Sequence, residues 1–213
     1  MSSKATQFRP VLLHPRYWLI WFAFGIWRLI TLLPFSVLLV IGKGIGLIFH
    51  AIPSRRKIIA QRNIEICFPE LSDTEREALL RANFISTGIA VMEVGIAWWW
   101  SKKRFSRLMQ FEGLEHLEAV KDRGVMVLGI HYTSLEVGAA ALSSKWKMDG
   151  MYRAHGNAVY DFLQARGRLN QSIGDNSVFE RRDVRGTMKA LKNGHSLWYG
   201  PDQDYGLRQG LFA

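Results

Sequence analysis

The sequence GIHYTSLE, residues 129–136, sets His131 just after an apolar run, GVMVL at residues 124–128, and places Glu136 five positions further on. Histidine is the side chain best suited to accept a proton near neutral pH, and a carboxylate on its second ring nitrogen fixes the tautomer and stabilises the imidazolium. With Glu136 about one turn into a following helix, the intervening loop can fold the carboxylate back onto the ring, so the spacing is compatible with a dyad. Six residues with two fixed recur by chance, however, and on spacing alone a structural or surface histidine is the more common outcome. A serine-hydrolase reading needs a nucleophile on a Gly-x-Ser-x-Gly turn, which the chain lacks. A metal reading fares worse, because helical ligand pairs sit three or four apart and no second His or Cys cluster lies nearby. His131 therefore reads as a base that activates a substrate's hydroxyl rather than one of the protein's own.

The elements that must position this pair follow from periodicity and capping. Past residue 110 short β-like runs alternate with helical ones: strands at 124–130, 148–153, 177–180 and 196–199, and helices at 135–143, 157–169 (capped by Asn157) and 183–192 (capped by Asp183, closed by Gly194). This alternation predicts an α/β domain with a largely parallel mixed sheet. In such sheets binding and catalytic groups collect where strands end, and His131, Arg153 and Asp202 each follow a predicted strand. Arginines clamp phosphates through planar, bidentate hydrogen bonds, which makes Arg153, Arg166, Arg168, Arg181 and Arg182 candidates, with Arg153 and Arg168 foremost. Strand-end placement and these arginines, together with the leader described next, rank the dyad above the structural histidine.

Residues 1–64 contain no acid and nine bases, so this segment is +9 of a total of +10 and the remainder is nearly neutral. A basic, acid-free leader suits nucleic acid or an anionic membrane surface. The residues between the bases decide for the membrane: 17–41 reads YWLIWFAFGIWRLITLLPFSVLLVI, with Arg28 its one charge. That length reaches the roughly 20 apolar residues a span needs, aromatic rings crowd its start, and no small-residue cleavage site follows it. Pro34 is expected to end a helix near Leu33, leaving 35–50 as an interfacial segment after one anchor helix. A basic helix follows Ser54 and stops at Pro69; a capping box, Ser72 with Glu75, then opens a long helix ending near Trp98–Trp100. The three tryptophans and the SKKR after them read as core packing beside a solvated charge run, or together as a second contact with headgroups. The single cysteine, Cys67, excludes an intrachain disulfide framework and a multi-Cys zinc site, and fits a reducing cytosol.

Several longer stretches carry a resemblance. LLHPRYWLIW, RNIEICFPELSDTERE, GIHYTSLEVGA, MYRAHGNAVYDFLQARGRL and LWYGPDQDYG together resemble the late lipid A acyltransferases of Gram-negative bacteria, the lauroyl and palmitoleoyl type within the HxxxxD/E acyltransferase group. The resemblance implies a glycerolipid-acyltransferase-like domain that moves a fatty acyl chain from acyl carrier protein to a hydroxyl of a 3-hydroxyacyl chain on Kdo2-lipid IVA. It implies that His131 deprotonates that hydroxyl, that Glu136 orients His131, and that Arg153, Arg168 and Asp202 are substrate-site residues. The setting implied is the cytoplasmic face of the inner membrane, with membrane lipids as further partners, no nucleic acid, and no metal or nucleotide cofactor.

The expected organisation is a membrane anchor and interfacial segment over 1–52, a helical membrane-proximal segment over 53–109 and an α/β core over 110–213. Residues 210–213 read as the start of another strand, so the α/β pattern is expected to continue past Ala213 and the core to be incomplete, as if truncated. A glycerolipid acyltransferase, or an inactive membrane-bound lipid-binding fragment, are the competing readings.

Overall fold

A computed structural model describes residues 6–121, 123–174 and 176–202; the strand expected at 210–213 lies outside them. Contacts group the chain into two compact units, one being Phe24–Ile96 and the other the residues up to Ala23 with those from Ala97 onward. The residues up to Ala23 join the second unit because Leu12 packs with Val159 and Phe162.

The Phe24–Ile96 unit is helical. Helix α1 (Trp18–Ile30), which enters it, has 13 residues and α2 (Phe35–Ala51) has 17, with Pro34 between them. Pro34 thus separates two helices, as expected, but the first is shorter than an anchor needs: at 1.5 Å per residue α1 reaches only about 20 Å, short of a hydrocarbon core of about 30 Å. None of its residues is buried, and Leu19, Phe22 and Leu29 are each more than 60% exposed. After Ser54, whose hydroxyl caps it, comes α3 (Arg55–Cys67), bent by 90° from α2. Helix α4 (Asp73–Trp99) opens on the expected capping box: the Ser72 amide and hydroxyl both donate to Glu75 Oε2, at 2.8 and 2.6 Å, and the Glu75 amide donates back to Ser72 Oγ at 3.4 Å. With 27 residues, α4 is long and apolar enough to cross a bilayer.

Leu38, Gly42 and Gly46 form the buried stripe of α2, one every fourth residue. It meets α4 at Gly88, where the two backbones touch. A Cβ on Gly42 would lie 2.7 Å from Ile89 Cα, and one on Gly88 would lie 2.7 Å from Gly46 Cα. Glycine at these positions is what lets the helices approach so closely.

The second unit holds the sheet. After two short helices, α5 (Lys102–Ser106) and α6 (Leu114–Glu118), the chain alternates β1 (Met126–Leu128), α7 (Leu135–Ser143), β2 (Met148–Tyr152), α8 (Ala158–Arg168), β3 (Val178–Glu180), α9 (Val184–Lys192) and β4 (Ser196–Tyr199). The four strands run in the order β1-β4-β2-β3, every described pairing parallel. The expected caps form: Asn157 Oδ1 accepts from the Val159 and Tyr160 amides, and Asp183 Oδ1 from the Gly186 amide. Gly194 takes a positive φ of 81° past the end of α9, a conformation that favours glycine.

Two further contacts define this unit. Leu12, in a 3-10 turn near the start of the chain, is fully buried with Val159 and Phe162 of α8, and Trp21 packs there as well. Trp98 and Trp100 are buried, and the Arg104 guanidinium lies 3.6 Å from the Trp100 ring centroid. The tryptophan cluster is thus largely core, rather than a surface offered to headgroups.

Candidate active site

The four described strands aim their carboxyl ends at one edge, and a charged or titratable side chain follows each of them. His131 follows β1, Arg153 follows β2, Arg181 follows β3, and Asp202 follows β4. A cavity of about 400 Å³ opens there, lined by His131, Glu136, Arg153, Arg168 and Arg181 among others. It extends past Gly150 and Met148 of β2 and beside Ala139, Ala140 and Ser143 of α7.

His131 is held by Asp202. The His131 amide donates to Asp202 Oδ2 at 2.8 Å, and Nδ1 lies 2.7 Å from Asp202 Oδ1. A carboxylate oxygen can only accept, so Nδ1 carries the hydrogen and the neutral ring keeps its lone pair on Nε2. These two hydrogen bonds hold the Asp202 carboxyl below its ordinary value, the side-chain bond contributing most. The ring also meets Trp198 of β4 edge to face, centroids 5.5 Å apart. Two glycines make room for this pair: a Cβ on Gly129 would lie 2.6 Å from Trp198 Cε2, and one on Gly200 would lie 2.5 Å from His131 Cε1.

Glu136 is engaged elsewhere. In the first turn of α7, it accepts from Arg168 Nε at 2.9 Å and is paired with Arg168 Nη2, while Trp98 Nε1 donates to Oε2 at 3.0 Å. Among the described residues, Glu136 makes no hydrogen bond to His131. The expectation that Glu136 orients the ring thus meets a different arrangement: its carboxylate faces α8, and the ring's carboxylate arrives from residue 202. Glu136 and Arg168 are 17% and 26% exposed, so their charges meet in a partly buried site, less screened than at an open surface. Trp98 reaches Glu136 because Gly167 leaves room for its indole, a Cβ there lying 2.6 Å from Trp98 Cδ2. Burial, and after it the Glu136 charge, raise the Tyr160 hydroxyl above its ordinary value.

Of the residues proposed from sequence, His131, Glu136, Arg153 and Arg168 line one cavity, and Asp202 touches it through His131. Arg153 is exposed at the mouth and pairs with no described residue. Arg181, one of the arginines named from sequence, also lines the cavity, whereas Trp98 and Trp198 carry no local signal beyond being aromatic. Among the described residues, no three His, Cys, Asp or Glu side chains converge as a metal site would require.

The model of the bacterial lipid A biosynthesis acyltransferase family matches residues 5–213. A Haemophilus influenzae protein named lipid A biosynthesis acyltransferase is 39% identical over all of this chain and 68% of its own length. The lipid A biosynthesis lauroyltransferase of Escherichia coli is 40% identical over 99% of this chain and 69% of its own length. The palmitoleoyltransferase of the same organism is also 40% identical, over 97% and 67%.

Proposed function

The chain belongs to the bacterial lipid A biosynthesis acyltransferase family and is an acyltransferase, and from that premise we propose that it moves a fatty acyl chain from acyl carrier protein to a hydroxyl of a 3-hydroxyacyl chain on Kdo2-lipid IVA. The observation that carries the chemistry is His131 at the cavity mouth, its Nδ1 committed to Asp202 and its Nε2 available as a base.

In the proposed reaction Nε2 takes the proton of the acceptor hydroxyl as its oxygen attacks the thioester carbonyl. The tetrahedral intermediate collapses with cleavage of the C–S bond, and the departing thiolate recovers the proton from the imidazolium, so the ring ends neutral as it began. Asp202 stabilises the imidazolium between the two steps. In this reading Arg153, whose guanidinium pairs with no described residue, takes the acceptor's phosphates, and its place in the same cavity lining as His131 and the Glu136–Arg168 pair supports that role. The acyl chain occupies the cavity beside β2.

Membrane residence at the cytoplasmic face of the inner membrane is part of the same proposal. It is supported by the acid-free basic leader, the exposed apolar side chains of α1 and the length of α4.

The test is transfer from acyl carrier protein thioester to purified Kdo2-lipid IVA, followed by mass spectrometry, with glycerol 3-phosphate as the competing acceptor. His131→Ala is expected to lower turnover by about 10²–10⁴-fold, the span of general-base catalysis. Near-normal turnover in that variant, or preference for glycerol 3-phosphate, overturns the reading.

A further inference from the structure

Helix α9 divides sharply into two faces. At 3.6 residues per turn, Gly186, Thr187 and Ala190 fall on one side, the last two buried against the unit. Val184, Arg185, Met188, Lys189 and Lys192 fall on the other, all exposed, Val184 by 60% and Met188 by 49%. This outer face has three cations, two apolar side chains and no carboxylate.

Arg181 and Arg182 extend the face toward the site. Both are exposed, and Arg181 lines the cavity mouth. None of these five cations forms an ion pair with a described residue. Arg181, Arg182 and Arg185 also gather at the amino end of α9, where the helix dipole favours acids, and the nearby Asp183 is occupied by capping. Local stability does not explain this arrangement, whereas an anionic partner would.

We propose that the outer face of α9, together with Arg181 and Arg182, is the docking surface for an acidic protein that carries the acyl thioester. The proposal rests on the donor assigned above and adds where that donor binds. Positive potential running from Lys192 to the mouth steers an acidic partner, and Val184 and Met188 give it a small apolar contact once docked. A bilayer is the less fitting occupant. Helices that lie on membranes present large anchors such as Trp, Phe or Leu, as α1 does with Trp18, Leu19 and Phe22 exposed, and α9 presents none.

The experiment uses Arg185→Glu/Lys189→Glu in the full chain, two positions outside the cavity lining. Initial rates are measured with one acyl group on acyl carrier protein and on pantetheine, alongside binding to vesicles containing phosphatidylglycerol. The expected result is a fall of about 10–10²-fold in kcat/KM for the carrier-borne donor, expressed in KM and shrinking as salt is raised. The pantetheine rate and vesicle binding stay unchanged. An unchanged carrier KM, or an equal loss with both donors, overturns the surface. Weakened vesicle binding with an unchanged carrier KM assigns the face to the membrane instead. If the unaltered protein takes the acyl group from coenzyme A but not from the carrier, the donor assignment fails first and takes the docking surface with it.

Discussion

The separation of Glu136 from His131 can be measured. Arg168→Met keeps most of the side chain's bulk and removes its charge, leaving Glu136 with the Trp98 indole as its remaining partner. Breaking a buried pair from one side costs about 3–5 kcal/mol; because 17% and 26% of these two side chains stay exposed, water recovers part of that and about 2–3 kcal/mol is expected. For a domain of this size such a loss lowers Tm by about 5–10 °C. Glu136→Gln in the same background removes the stranded charge, so the double variant should lose less than the two single losses combined, with a coupling of about 2 kcal/mol. The parallel cycle, His131→Ala with Glu136→Gln, should give a stability coupling within about 0.5 kcal/mol, as for groups that share no bond. Thermal denaturation of the six proteins provides both values. A His131–Glu136 coupling equal to that of Glu136–Arg168 would refute the geometry in which the carboxylate faces α8.

Asp202 gives a prediction in pH. Its carboxyl is held below the ordinary 3.8 by the His131 hydrogen bonds, so this contact stabilises the fold above that value and is lost as the pH falls through the lowered one. The stabilities of the native protein and His131→Ala should therefore converge in acid, and carbon-13 NMR of Asp202 should show its titration rising toward 3.8 in the variant; an unmoved titration counts against the pair. In the cavity, a Cβ on Gly150 meets nothing within 4 Å, so Gly150→Leu projects into open space. It should shift donor selectivity toward shorter acyl chains, long ones losing about 0.8 kcal/mol per excluded methylene, whereas uniform slowing for every chain length would place the acyl group elsewhere. In the helical unit, Gly88→Ala should destabilise by about 1–3 kcal/mol because α2 and α4 must part. Gly44→Ala, whose Cβ meets nothing within 4 Å, should change little, and equal effects in denaturation would contradict the glycine contact.

Local signals in the sequence located most elements. Asn157, Asp183, Ser72 with Glu75, and Gly194 each act within a few residues, and the structure uses each as its chemistry suggests. Helix α7 begins and ends where periodicity placed it. What sequence spacing does not carry is direction. Five residues put Glu136 near His131, but which way a first-turn side chain points depends on the helix packed beside it, here α8 with Arg168. The carboxylate that does hold His131 lies 71 positions away, where no local pattern can indicate it. Pro34 does divide the apolar segment 17–41 as its backbone restriction predicts, but hydropathy did not indicate that α1 closes at Ile30, before the expected end near Leu33.

The strand order has a consequence for how the site comes into being during synthesis. Strand β4 is the last described strand in the chain, yet it lies between the first and second. Until residues 196–199 leave the ribosome, β1 lacks its hydrogen-bonded neighbour, and His131 at its tip lacks both the Trp198 ring and the Asp202 carboxylate. Pairing across such a sequence separation is slow, because a long loop must close before any contact rewards it. In a nascent chain halted before that point the histidine still lacks both neighbours, so the orientation of its ring is among the last features of the described fold to form.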